Sequence, residues 1–103
     1  MHISPEEQYQ ILAHVDKLLK DYFQFITAGC GAVGKMHLVD GAFLVGHIAK
    51  SHVGEELDGN TYTITFLNGS KKVVNALHIR QFEPGSHDLM REFAEAGIIK
   101  FSP

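Results

Sequence analysis

Seven histidines in a chain of 103 residues raise metal binding first. His37, His47, His52 and His78 fall in one stretch, residues 33–82. No H-x-H, H-E-x-x-H or C-x-x-C spacing occurs, so no ligand set is specified and no metal is expected. Scattered histidines read as surface or hydrogen-bonded groups whose titration near neutrality would make association pH-sensitive. Cys30 stands between two glycines. A thiol is a nucleophile only when a base or positive charge lowers its pKa, and nothing near it in sequence does so; it reads as a small group packed at a helix end. Residues 29–34, GCGAVG, match G-x-G-x-x-G. A dinucleotide loop follows a strand and opens a helix. Here a helix pattern precedes and a strand pattern follows, so the segment reads as a flexible linker. No catalytic residue, metal ligand or cofactor site is assigned.

The elements that must position any site are clearer. Residues 4–27 predict one helix: Ser4 as N-cap, Pro5 at the first position, and Glu7 completing a capping box, with Glu6 and Glu7 at the positive end of the helix dipole. Ile11, Leu12, Val15, Leu18, Leu19, Tyr22, Phe23 and Ile26 recur at steps of three and four, a broad apolar stripe. Gln10, Asp16, Lys17, Lys20 and Asp21 fall largely off it, and Gly29 reads as the stop. Such a helix is about 33 Å long, longer than a small barrel can cover. The excess predicts a homodimer through this helix.

Strands are expected over 33–39, 42–50, 61–67, 71–75 and 78–82. Asp40-Gly41 and Asn68-Gly69 are hairpin turns, and a longer loop carries Asp58-Gly59-Asn60. In the third strand Tyr62, Ile64 and Phe66 alternate with Thr61, Thr63 and Thr65, so one face is buried and the other solvated. Ser86 caps a last helix, 87–96, with Leu89, Met90 and Phe93 inward and Gly97 as its stop. Ile98, Ile99 and Phe101 are expected to dock back on the domain or add an edge strand.

One domain spans 1–103: a helix (1–28), a β-barrel (33–82) and a helix (86–97). The class is α+β: a long N-terminal helix, a small five-stranded antiparallel barrel and a short C-terminal helix. Hydrophobic residues are 45% and charged residues 20%, as in an ordinary globule. A net charge of −3 argues against non-specific binding to phosphate backbones. A single cysteine fits a reducing compartment. With no apolar run of about 20 residues and no signal-peptide pattern in MHISPEEQ, the expectation is a cytoplasmic protein without a membrane segment.

The strand segments VDGAF (39–43), GHI (46–48), YTITFLNG (62–69), VV (73–74) and IRQF (79–82) resemble tudor and agenet-type domains. The resemblance covers about half the chain and implies an SH3-like barrel. It also implies recognition of peptides bearing methylated lysine or arginine through an aromatic cage. Phe43 matches the first cage aromatic and Asn68 the acidic or amide residue of the turn. Leu44 and Ser70 stand where further aromatics are expected, so the cage is incomplete. Asp40–Ile48, DGAFLVGHI, also resembles a strand of the plasmid-borne, trimethoprim-insensitive dihydrofolate reductases. Their pore carries Val-Gln-Ile-Tyr, and the matching residues 71–75 have neither the Gln nor the Tyr.

The expected function is therefore a non-enzymatic binding or assembly module for a protein or peptide partner. The alternative is a small-molecule binder or enzyme with a pocket between barrel and helix or between subunits. Its candidate lining is Phe43, His47, Tyr62 and His78. A third reading is weak nucleic-acid binding by Lys71, Lys72 and Arg80 grouped on neighbouring strands with Lys35 nearby.

Overall fold

The computed structural model describes residues 4–28, 31–53 and 60–100. Cys30, the proposed stop Gly29, the turn residues Asp58 and Gly59, and Phe101 lie outside them. A long helix, α1 (Pro5–Thr27), leads into β1 (Val33–Leu38) and β2 (Phe43–Val53). β3 (Asn60–Thr65) and β4 (Lys71–Asn75) follow. A 3-10 turn, Ala76–His78, then leads into β5 (Ile79–Pro84) and a short helix, α2 (His87–Glu95).

α1 begins as its sequence requires. The Ser4 hydroxyl accepts from the Glu7 N–H at 3.2 Å, satisfying one of the donors that a helix leaves free at its start. Its buried residues are Leu18, Tyr22 and Phe25, with Val15 partly covered. Each buried side chain contributes roughly 1.5–3 kcal/mol relative to exposure. The expected single stripe is thus divided. Phe25, outside that stripe, is 3% exposed, whereas Phe23 and Leu12, inside it, are 57% and 53% exposed.

All strand pairs are antiparallel, in the order β4-β3-β2-β1-β5. The first four form a meander, and β5 returns to pair with β1. β4 and β5 are the two ends of this row, a five-stranded antiparallel sheet. The end at β5 is protected by α1: Asp21 Oδ2 accepts from the Phe82 N–H, and His14 Nε2–H donates to the Ala76 carbonyl at 3.0 Å.

Both hairpins use one device. The Leu38 carbonyl accepts from Gly41 N–H and Leu38 N–H donates to Ala42; Phe66 does the same with Gly69 and Ser70. Gly41 and Gly69 take φ of 94° and 88°. These are turns closed by a bulge glycine, a conformation that other residues rarely adopt. Asp40 and Asn68 add the side-chain bond that sets the turn, accepting from the N–H two residues on at 2.9 Å.

The inner face of the sheet carries Met36, Ile48, Tyr62, Ile64, Val74, Ile79 and Phe82 against α1. Tyr22, Tyr62 and Phe82 meet at centroid distances of 5.0–5.5 Å. The expected alternation in β3 holds: Tyr62 and Ile64 are buried and Thr61, Thr63 and Thr65 half-buried. Gly34 in the linker motif is itself a strand residue. A Cβ there would stand 2.1 Å from the Glu83 carbonyl, so close approach of β1 to β5 requires glycine.

α2 covers part of the other face. Met90 and Phe93 are buried, as is Val33, outside the cluster beneath α1. The helix ends in a Schellman motif, with Ile98 N–H on the Phe93 carbonyl, Gly97 N–H on that of Ala94, and Gly97 at φ 77°. Ile98 and Ile99 are half-buried, so this part of the tail does dock back.

Candidate functional site

Strand register decides what can act together. Lys35 lies opposite Val45, His37 opposite Phe43, and Val33 opposite His47 across β1 and β2. On the other side of β1, Lys35 lies opposite Glu83. Because residues that face each other across a ladder share a face, Lys35, His37, Phe43, Val45, His47 and Glu83 all lie on the outer face of the sheet, away from α1.

Phe43 is 52% exposed at the start of β2. Lys35 Nζ stands 5.0 Å from its ring centroid, and the His37 ring packs 6.0 Å away at 47°. Glu83 Oε2 is 3.3 Å from His37 Nε2 and 4.0 Å from Lys35 Nζ. This patch presents an aromatic ring, a carboxylate and two groups able to carry positive charge. Beside it a hollow of about 720 Å³ opens between the sheet and α2. Val45, Pro84 and Leu89 supply apolar surface there, and Glu83, Asp88, Glu92 and Glu95 outnumber Lys35 and Arg91.

The other residues expected at a site are dispersed. Tyr62 is 1% exposed and belongs to the core. Its hydroxyl is pushed up to about 12 by burial first, then by Tyr22 and Asp21, and it stays neutral. Lys50 Nζ covers its ring at 4.7 Å. His47 lines a separate hollow with Thr63, Thr65 and Lys71. Burial and, second, the Lys71 ammonium lower its pKa. His78 is exposed and lines a hollow with Leu38, Val39 and Val73. Asn68 stands in the β3–β4 turn, where its side-chain oxygen is engaged by the Ser70 N–H and hydroxyl. Leu44, next to Phe43, turns to the inner face and packs against the core, so strand alternation removes it from any cage beside Phe43.

The four basic residues lie on three strands. In the pairing order Lys71 and Lys72 on β4 are two strands from Lys35 on β1, and Arg80 is on β5 at the other end of the row. Arg80 lines a hollow with His14, Lys17 and Asp21. Among the described residues, no three His, Cys, Asp or Glu side chains are placed to share a metal ion.

Glu83 is the member of the Phe43 patch that the sequence reading missed. It reaches Lys35 and His37 only through the β1–β5 pairing, a contact between distant segments. The period of two in β5 places Glu83 and Gln81 on one face but does not name the strand they meet. Among the described residues, no helix is long and apolar enough to cross a membrane. No protein-family model matches the chain, and neither the curated proteins nor the solved structures yield a significant match.

Proposed function

We propose that this chain is a non-enzymatic binding and assembly module. Two copies join through α1, and a tudor-like, SH3-like barrel turns its outer face, with Phe43, toward a protein or peptide partner. The strand order β4-β3-β2-β1-β5 and the 3-10 turn between β4 and β5 support the barrel reading.

The observation that carries the assembly reading is the apolar surface left on α1. Tyr9, Leu12, Phe23 and Ile26 are 74%, 53%, 57% and 37% exposed. At about 150–250 Å² for a fully exposed large side chain, these four residues present roughly 300–550 Å² per copy. A standard interface takes about 800 Å² from each partner, so this stripe and its flanks are of the right size. Scattered exposed apolar residues are ordinary; these four instead fall as two pairs along one side of a single helix, on either side of the exposed Asp16–Lys20 ion pair. Light scattering after size exclusion should give twice the chain mass for the native protein and the chain mass for Leu12→Lys with Phe23→Lys. A native protein that stays monomeric at millimolar concentration would remove the assembly reading.

A further inference from the structure

Tyr9, Leu12, Asp16, Leu19, Phe23 and Ile26 follow each other at alternating steps of three and four residues. That is the seam of a two-helix coiled coil. It is distinct from the core-facing row Val15, Leu18, Tyr22 and Phe25, from which it is turned by one residue, or about 100°. Leu19 is half-buried, and Asp16 and Lys20 are exposed and paired at 3.3 Å.

We infer that two copies pair their α1 helices antiparallel, about a two-fold axis between residues 17 and 18. The inference deepens the assembly reading above and rests on it. In this register Tyr9 of one copy lies beside Ile26 of the other, and Leu12 beside Phe23. Every end layer then combines an aromatic ring with an aliphatic side chain. A parallel pair would set Tyr9 on Tyr9, Phe23 on Phe23 and, at the centre of the seam, Asp16 on Asp16. Two carboxylates facing each other at the centre of one seam repel. The antiparallel register instead sets Asp16 beside Leu19 of the other copy. It also offsets Asp16 from the other copy's Lys20 by one residue, about 1.5 Å along the axis. The two Asp16 and two Lys20 side chains then alternate in sign around the two-fold axis.

Cysteines at the ends of the seam test this. In a Cys30→Ser background, Tyr9→Cys and Ile26→Cys chains are prepared separately and mixed, and each sample is oxidised. The antiparallel pair cross-links the mixture between positions 9 and 26. It leaves each variant alone uncross-linked, because identical positions are then about 25 Å apart along the axis. Cross-linking of each variant alone would overturn the proposal in favour of a parallel pair. A dimeric mass with no cross-link would overturn the seam while leaving the dimer. A monomeric native protein would remove both. Charge reversal reads the same geometry without touching apolar residues. Asp16→Lys and Lys20→Asp chains should each dimerise about tenfold more weakly alone, and a mixture of the two should recover, because opposite charges then meet only across the helices. Failure of the mixture to recover would overturn the cross-helix pairing.

Discussion

Lys35 Nζ lies 5.0 Å from the centroid of the Phe43 ring, so the exposed aromatic of the outer face already holds a cation of its own chain. A partner's cation would have to displace that ammonium to use the same face of the ring. This contact weakens the methyl-cation reading more directly than the missing aromatics do. It also suits a surface that recognises a partner through shape and mixed charge, since Glu83 and His37 complete the patch. The contact is measurable: a double-mutant cycle of Lys35→Met and Phe43→Ala should give a coupling of about 0.5–1 kcal/mol in denaturant unfolding. A coupling indistinguishable from zero would show that the ammonium is free for other work.

Tyr22 is a hydrogen-bond bridge as well as a core ring. Its hydroxyl donates to the Ile48 carbonyl at 3.4 Å and accepts from the Lys50 N–H at 3.2 Å. Tyr22→Phe keeps the ring contacts and strips one partly buried backbone donor of its partner. Equilibrium unfolding should show a loss of about 1–2 kcal/mol with an unchanged denaturant slope.

At Gly34 the backbone of β1 comes close to β5 and to the Phe25 ring of α1. A Cβ there would lie 2.1 Å from the Glu83 carbonyl and 2.7 Å from the Phe25 ring. Gly34→Ala should cost about 3 kcal/mol or more, because backbone and not a flexible side chain must move. Gly41→Asn, where space is open but φ is positive, should cost less, about 1 kcal/mol. Thermal melts of the two variants compare them directly.

His47 should make the fold acid-sensitive. Its pKa is lowered from the ordinary 6.5 by burial and, second, by Lys71. The unfolded chain therefore binds its proton more readily than the native one does. The contribution is fully present above pH 6.5 and is lost as the pH falls toward the native value. His47→Gln should flatten that slope, and Lys71→Met should raise the His47 pKa in an NMR titration.

Tyr62 acts at the opposite end of the scale. Its native pKa of about 12 exceeds the ordinary value of 10.0, chiefly through burial. The neutral ring belongs to the fold, so its contribution is complete below pH 10 and declines between about pH 10 and 12. Tyrosinate absorbance should show one tyrosine ionising only as the protein unfolds, and Tyr62→Phe should remove that late step.

What the sequence determined is local. The Ser4 cap, the alternation of Tyr62 and Ile64 with threonines, and the turns at Asp40-Gly41 and Asn68-Gly69 involve groups within a few residues of each other. Their physics was readable before any packing was known. The division of the α1 stripe was not. Both Phe23 and Phe25 are compatible with a buried helix face, and only the way α1 docks on the sheet puts Phe25 inside and Phe23 outside. The surface patch was likewise undecided. Lys35, His37 and Phe43 share a face through one short hairpin, but Glu83 joins them across a pairing of segments nearly fifty residues apart. Helix caps and turns are local because their hydrogen bonds close within one turn of chain. Which charges meet, and which apolar face of α1 stays uncovered, depends on contacts whose chain separation no local pattern encodes.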